Sequence, residues 1–290
     1  MLSNNGLDVL VLERLPEFSE KNCGGWITSR SVDLLSAIKM DTRELLAGGS
    51  SGIKRRLAYH PGGSPETTVS TGFFGFGTTR KNLNEFMARQ ASGAGTEIIF
   101  GQPVHNIRMR NSYFEINEYL AKKAVLAIGA RKFDSQVKLK SIPAFAISEI
   151  VTAGAVFGTD MACQFFNVGS LLPHNYQSER NYFWIIPIGN DLWNIGMFFV
   201  TACKNMRKQY NLCRSLYVTQ ALANVKTVIA PRESTLGTID FSGGICQCTA
   251  IGDFAGECDP NTGGGISGAI ESGIFASKRL LSEMTTVVAK

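Results

Sequence analysis

Residues 249–277 read TAIGDFAGECDPNTGGGISGAIESGIFAS, and this stretch decides the fold. An apolar strand ends before Gly252-Asp253, and a loop with Pro260 and the glycines 263–265 then runs directly into a helix. Bare backbone amides at a helix start stabilise negative charge, and glycine lets a flat or phosphorylated ligand approach the backbone. The glycines alone would equally suit an ordinary connection between a strand and a helix. The interpretation therefore depends on the spacing of the whole stretch.

The composition indicates a globular protein large enough for one large core or for two lobes. The chain has 290 residues, 44% of them hydrophobic, with 30 Gly and a net charge of +5. The charge is too diffuse for nucleic-acid binding and suits an anionic ligand or membrane surface. Seven Cys with no C-x-x-C pair and only three His predict no metal site and reduced thiols. No apolar run reaches the roughly 20 residues of a membrane-spanning helix.

The two ends of the chain alternate strands and helices, which predicts an α/β architecture. Residues 7–13 (LDVLVLE) are typical of a parallel-sheet strand buried on both faces. Residues 79–95 have helical spacing and end in glycines. Further short strands are predicted at 97–100, 113–117, 124–128 and 248–251, and a final helix at 265–284.

The middle of the chain is rich in aromatic residues and predicts antiparallel strands. These lie at 165–168, 182–187 and 192–200, with Asn190-Asp191 as the turn between the last two. One helix, roughly 205–225, interrupts them. This pattern predicts a second lobe inserted into the first.

The spacing of Gly-Asp, Pro, Gly-x-Gly and Glu271-Ser272-Gly273 resembles the second FAD fingerprint of the p-hydroxybenzoate hydroxylase-like flavoproteins. The resemblance is strongest to the geranylgeranyl reductase family of FAD-dependent oxidoreductases. It implies a Rossmann-like FAD-binding lobe of the GR2 type with an inserted antiparallel β-sheet substrate lobe. It also implies that Asp253 binds the ribityl chain and that the glycines lie against the isoalloxazine ring. The implied FAD contacts in this stretch are Gly252, Asp253, Pro260, Gly263, Gly264, Gly265 and Ile266.

Earlier segments add to the resemblance. Glu13 ends a strand and is followed by Arg14, as for an acid that binds the adenosine ribose. Cys23-Gly24-Gly25 matches the family's Cys-Gly-Gly segment, whose cysteine lies near the flavin. Cys23 is therefore the candidate catalytic residue and, with Gly24, a candidate FAD contact. The alternative for a single cysteine is an inert small side chain.

Two further segments match the family pattern. Arg80, with Leu83 and Met87, fits an R-x-x-L-x-x-x-[LM] pattern whose arginine lies beside FAD. An arginine is unfavourable at a helix start, which favours an anion-binding role over a surface one. Gly129 ends the strand before the crossover to the substrate lobe. Aromatic hydroxylases often have Asp-Gly where this chain has Ile128-Gly129, which weakens the hydroxylase interpretation.

Residues 182–187 (YFWIIP) discriminate best between members of the fold. Geranylgeranyl reductases have Tyr-x-Trp-x-Phe-Pro along the lipid cavity, and flavin-dependent halogenases have Trp-x-Trp-x-Ile-Pro. The first position agrees with the reductases and the fifth with the halogenases. The resemblance implies that Tyr182, Trp184 and Pro187 bind substrate, whereas strand propensity alone would explain a core strand.

The implied division assigns 1–58, 79–140 and 242–290 to the FAD-binding lobe, and 59–78 and 141–241 to the substrate lobe. The sequence shows neither the first strand of a dinucleotide fold nor its G-x-G-x-x-G turn, so we expect the first βα unit to be missing from it. A misassigned start, a fragment or a true loss would each explain this. Without these pyrophosphate-binding amides we expect weak FAD binding. We also expect apolar faces of Val9 and Val11 to be exposed.

The leading hypothesis is an FAD-dependent reductase of carbon–carbon double bonds in a prenyl-type substrate. The implied electron donor is NAD(P)H or another reductant, and the implied partner is an apolar small molecule or lipid. The expected location is cytoplasmic, with or without peripheral membrane contact. The alternatives are a flavin-dependent monooxygenase or halogenase, and a truncated remnant without catalytic activity.

Overall fold

The computed structural model describes residues 1–60, 66–129, 143–166, 168, 181–200, 205–237, 248–259 and 262–288. The elements of the first half are β1 (Leu10–Leu12), β2 (Trp26–Thr28), α1 (Ser29–Ala37), α2 (Arg43–Ala47), β3 (Ser51–His60), β4 (Glu66–Gly77), α3 (Arg80–Gly93), β5 (Glu97–Ile99), β6 (Ile107–Arg110), β7 (Tyr113–Ile116), β8 (Tyr119–Ala121) and β9 (Val125–Leu126). Those of the second half are β10 (Pro143–Ala155), β11 (Met161–Phe166), β12 (Tyr182–Gly189), β13 (Leu192–Phe199), α4 (Met206–Ala221), β14 (Leu222–Gly237), β15 (Thr249–Ala250) and α5 (Ile266–Val288).

An eight-stranded sheet dominates the molecule, in the order β14-β10-β13-β12-β11-β3-β4-β2. Its strands are antiparallel except for the parallel pair β11–β3. In β12 and β13 every residue after the first is buried, because one face packs under α4 and the other towards the remaining elements. Phe165 stacks on Tyr217 of α4 with ring centroids 4.2 Å apart. The expected inserted antiparallel sheet is therefore confirmed.

The α/β part contains two parallel strand pairs. β1 pairs with β5, and β9 pairs with β15. The predicted helix at 79–95 is confirmed as α3, with Thr79 as its N-cap and Phe86 fully buried. Strand β7 belongs instead to an antiparallel meander with β6 and β8. These helices and parallel strand pairs confirm the predicted α/β class.

Two predictions about these elements were wrong in detail. Val11, in the middle of β1, is 41% exposed, as we expected from the missing first strand, so the prediction of a strand buried on both faces was wrong. Among the described strands β1 hydrogen-bonds only to β5, and a two-stranded sheet cannot cover both faces. The helix predicted at 205–225 ends at Ala221, because the chain from Leu222 onwards pairs with β10 as the edge strand β14.

The predicted lobe division stays a prediction. The large sheet also includes β2 and the start of β3 at Ser51, which that division assigns to the FAD-binding lobe. The boundaries at 140/141 and 241/242 lie outside the described residues. No helix in the described ranges is long and apolar enough to cross a membrane. In the same ranges, no group of His, Cys, Asp and Glu could hold a metal ion.

Candidate functional site

The segment Glu20–Gly25 runs between the large sheet and the α/β elements. Gly25 has φ of 73°, and a Cβ atom there would lie 2.1 Å from the carbonyl oxygen of Thr78. A Cβ atom on Gly24 would lie 3.2 Å from Cδ1 of Ile186 on β12. A side chain at position 25 would clash with the Thr78 backbone, and one at position 24 would crowd Ile186. These close contacts account for the two glycines after Cys23.

Backbone amides at the start of α3 already have hydrogen-bond acceptors within the protein. The carboxylate of Glu20 accepts hydrogen bonds from the amides of Arg80 and Lys81, both at 3.1 Å. The Thr79 side chain accepts from the amide of Asn82 at 3.1 Å. A carboxylate at this position also stabilises the helix dipole. The anion-binding capacity at this point therefore belongs to the Arg80 side chain rather than to the helix amides.

Arg80 and Cys23 lie side by side. Nη1 of Arg80 lies 3.7 Å from Sγ of Cys23. Nε of Arg80 is buried without a hydrogen-bond partner among the described residues. A buried donor without a partner is rare in folded proteins, and it fits a place where a ligand acceptor would complete the site.

The second half of the site lies at the ends of the paired strands β9 and β15. Gly129 follows β9, and Gly252 follows β15, where its amide donates to Oγ of Ser272 at 2.9 Å. The Asp253 carboxylate lies against the start of α5, because a Cβ atom on Gly265 would be 2.7 Å from its Oδ1. Glycine at 265 thus leaves room for the carboxylate.

Lys21 connects these two loops. Its ammonium nitrogen lies 3.9 Å from Oδ2 of Asp253 and 4.0 Å from the position of a Cβ atom on Gly129. Both side chains remain partly exposed, at 54% for Lys21 and 24% for Asp253. The ion pair is therefore solvent-screened and can be rearranged at low cost.

The loop before α5 is tied to strand β12. The Tyr182 hydroxyl donates to the carbonyl oxygen of Thr262 at 2.7 Å, and Thr262 in turn donates to Oδ2 of Asp259 at 2.7 Å. Burial raises the pKa of the Tyr182 hydroxyl above its ordinary value. Burial, with the carboxylates of Asp253 and Asp259, raises the pKa of the Cys258 thiol to about 12. Both groups therefore stay neutral near pH 7. Pro260 lies outside the described residues.

The proposed substrate residues occupy different surroundings. Trp184 is 5% exposed and donates from Nε1 to Oδ1 of Asn194 at 2.7 Å. Pro187 lines a cavity of about 170 Å³ at the β12–β13 turn, and Tyr182 and Trp184 do not line that cavity. Tyr182 and Trp184 do share one sheet face, with ring centroids 5.8 Å apart. Their contact with substrate stays a prediction.

Glu13 lies at the carboxyl end of β1, where the sequence predicts it. Its carboxylate accepts a hydrogen bond from the amide of Leu15 at 2.9 Å. Its backbone amide donates to the carbonyl oxygen of Ile99, which extends the pairing of β1 with β5 by one residue. Arg14 beside it is exposed. Among the described residues no hydrogen bond or ion pair joins Glu13 to the cluster around Cys23 and Asp253.

Sequence reasoning assigned no role to four polar residues of this region, although Asn194-Ile195-Gly196 adds to the family resemblance. They are Glu20, Lys21 and Asn22, which precede Cys23, and Asn194 in β13. A signal existed only for Asn194, which is an amide in the middle of an otherwise apolar strand. The roles of the other three depend on contacts with distant elements.

No family model matches this chain. Over 300 residues it is 23% identical to a digeranylgeranylglycerophospholipid reductase of Methanosarcina acetivorans, and the match covers 95% of this chain and 70% of that protein. A protein of the same name from Methanocaldococcus jannaschii is 23% identical over 295 residues, which cover 95% of this chain and 71% of that protein. Over nearly its whole length the chain therefore resembles the geranylgeranyl reductase family of FAD-dependent oxidoreductases.

Solved structures agree with this family's fold. A geranylgeranyl bacteriochlorophyll reductase-like protein from Thermoplasma acidophilum superimposes with a TM-score of 0.72 at 18% identity, over 96% of this chain and 72% of that one. A flavin-dependent brominase gives a TM-score of 0.70 at 16% identity, over 95% of this chain and 73% of that one. At these identities the likeness establishes the fold, which the geranylgeranyl reductase family shares with halogenases.

Proposed function

We propose that this chain reduces carbon–carbon double bonds in a prenyl-type apolar substrate, with FAD as its cofactor and NAD(P)H or another reductant as the electron source. The observation that carries the proposal is the convergence of Cys23, Arg80 and the Asp253–Gly265 loop beside the aromatic strand β12. The names of the relatives support a lipid with reducible double bonds as the substrate class.

The residues present fit FAD at the ribityl and ring end. Asp253 offers a partly exposed carboxylate, the start of α5 offers backbone amides, and Arg80 offers a buried donor without a partner. Bound there, FAD supplies hydride transfer, and the chain supplies binding and orientation. The residues that we propose to hold it are Glu13, Arg14, Cys23, Gly24, Arg80, Gly129, Gly252, Asp253, Pro260, Gly263, Gly264, Gly265 and Ile266.

Within this proposal each residue has a physical task. The carboxylate of Asp253 accepts hydrogen bonds from ligand hydroxyls. Arg80 stabilises negative charge close to Cys23. Tyr182, Trp184 and Pro187 form the apolar side of the site, and the two lobes divide cofactor binding from substrate binding as the sequence predicts.

The test begins with flavin binding and then separates the reactions. The purified chain is titrated with FAD, and the complex is incubated without oxygen with a prenyl lipid and NADPH or dithionite. A product heavier by two hydrogens per reduced double bond supports the proposal. Oxygen-dependent NADPH consumption with an oxygenated or halogenated product would replace it with the monooxygenase or halogenase alternative. A folded chain that binds no FAD would favour the non-catalytic alternative.

A further inference from the structure

Asn194 is a buried amide with both ends hydrogen-bonded. It is 5% exposed and lies in strand β13. Its Oδ1 accepts from Nε1 of Trp184 at 2.7 Å, and its Nδ2 donates to the carbonyl oxygen of Cys23 at 2.8 Å. An indole nitrogen can only donate and a carbonyl oxygen can only accept, so these partners determine which way the amide points.

The side chain of Trp184, which donates to Asn194, is tightly packed. A Cβ atom on Gly196 would lie 2.1 Å from Cζ2 of its indole, so the ring packs directly on the backbone of β13. The same indole nitrogen lies 3.4 Å from the position of a Cβ atom on Gly24. Asn194 thus ties the main chain of Cys23 to a side chain that has little freedom to move.

Asn22, the residue before Cys23, is itself held by side-chain hydrogen bonds. Its Nδ2 donates to the carbonyl oxygens of Arg232 at 2.8 Å and Ala146 at 3.3 Å, and its Oδ1 accepts from the Ser148 hydroxyl. Asn22 is therefore held by β10 and β14, while Asn194 on β13 holds Cys23. The thiol of Cys23 is directed from this fixed backbone towards Arg80.

We propose that Asn194 and Asn22 are positioning residues that fix the Cys23 backbone against the eight-stranded sheet and so set its thiol beside Arg80. The importance of Cys23 for catalysis rests on the function proposed above. The positioning itself does not, because the hydrogen bonds lie within this chain.

The experiment compares Asn194→Ala and Asn22→Ala with Tyr210→Phe, which removes a buried hydrogen bond on the opposite face of the same sheet. The rate of Cys23 alkylation by iodoacetamide is followed by peptide mass spectrometry under conditions where each variant is folded. Cys163 and Cys213 serve as internal references, because burial raises the pKa of each thiol to about 12.

We expect Cys23 to be alkylated about tenfold faster or more in both asparagine variants, as the loss of a buried hydrogen bond suggests. Amide hydrogen exchange in residues 20–25 should accelerate with it, while Tyr210→Phe leaves both rates unchanged. Unchanged Cys23 alkylation and exchange in Asn194→Ala would overturn the proposal and leave Asn194 a merely structural residue. If that variant fails to fold, Asn22→Ala decides by the same criteria. A failure to reduce prenyl lipids would refute the proposed function without changing these rates.

Discussion

At the scale of single residues, Asp253 carries the most direct prediction about the cofactor. Replacing it with alanine removes a charged acceptor, which is worth roughly 1.5–3 kcal/mol, so FAD should bind about tenfold to a hundredfold more weakly. Flavin fluorescence during titration measures the dissociation constant. Asp41→Ala is the matched control, because that carboxylate pairs with Arg43 at the surface. Equal FAD affinity in Asp253→Ala and the wild type would refute the assignment.

A second residue-scale prediction concerns the buried carboxylate of Glu149. It accepts from the Tyr210 hydroxyl at 2.5 Å and from Nε of Arg214, and its side chain is only 1% exposed. Arg214→Met leaves this charge without its cation, and we expect a loss of about 2–3 kcal/mol in unfolding free energy. The loss is smaller than for a wholly buried pair because a third of the Arg214 side chain meets solvent.

Urea denaturation measures this loss, with Arg207→Met as the control. The ion pair between Arg207 and Glu233 is about half-exposed at both side chains, so its removal should cost less than about 1 kcal/mol. Similar losses in the two variants would mean that burial of Glu149 does not strengthen its interaction.

At the scale of elements, the turn between β12 and β13 is the clearest case of local control. Asn190 and Asp191 have φ of 53° and 57°, the left-handed pair of values that a two-residue hairpin turn requires. Asp191→Val places a β-branched residue in this region, which should cost about 1–2 kcal/mol. Thermal unfolding measures the effect, and Thr68→Val in the exposed part of β4 is the control. A Tm that falls equally in both variants would contradict the explanation.

At the scale of the whole molecule, stability should be uneven. The central strands β10, β12 and β13 have hydrogen-bonded neighbours on both sides and lie between two buried clusters. The pair β1–β5 forms a separate two-stranded sheet with Val11 exposed. Such a pair is marginal on its own, so its amides should exchange hydrogen much faster than those of the central strands. Exchange followed by mass spectrometry tests this, and equal protection of both regions would contradict it.

The sequence by itself determined the features that depend on neighbouring residues. These features are the glycines and Asp253 before α5, the helix over residues 79–95, and the turn at Asn190-Asp191. Each depends on backbone preferences within a few positions, so local residue types are sufficient. The same holds for the motif in residues 249–277 that carries the family resemblance.

Only the tertiary structure decided the features that depend on distant partners. The sequence supports two opposed expectations for β1, an apolar pattern typical of burial and a missing neighbour that exposes Val11, and only the strand pairing decided between them. The residues from Leu222 continue the helical pattern, yet pairing with β10 makes them a strand. The bond from Asn194 to Cys23 joins positions 171 residues apart, and no local preference encodes such a contact. Burial and pairing belong to the assembled fold, and the geometry of this site follows from them.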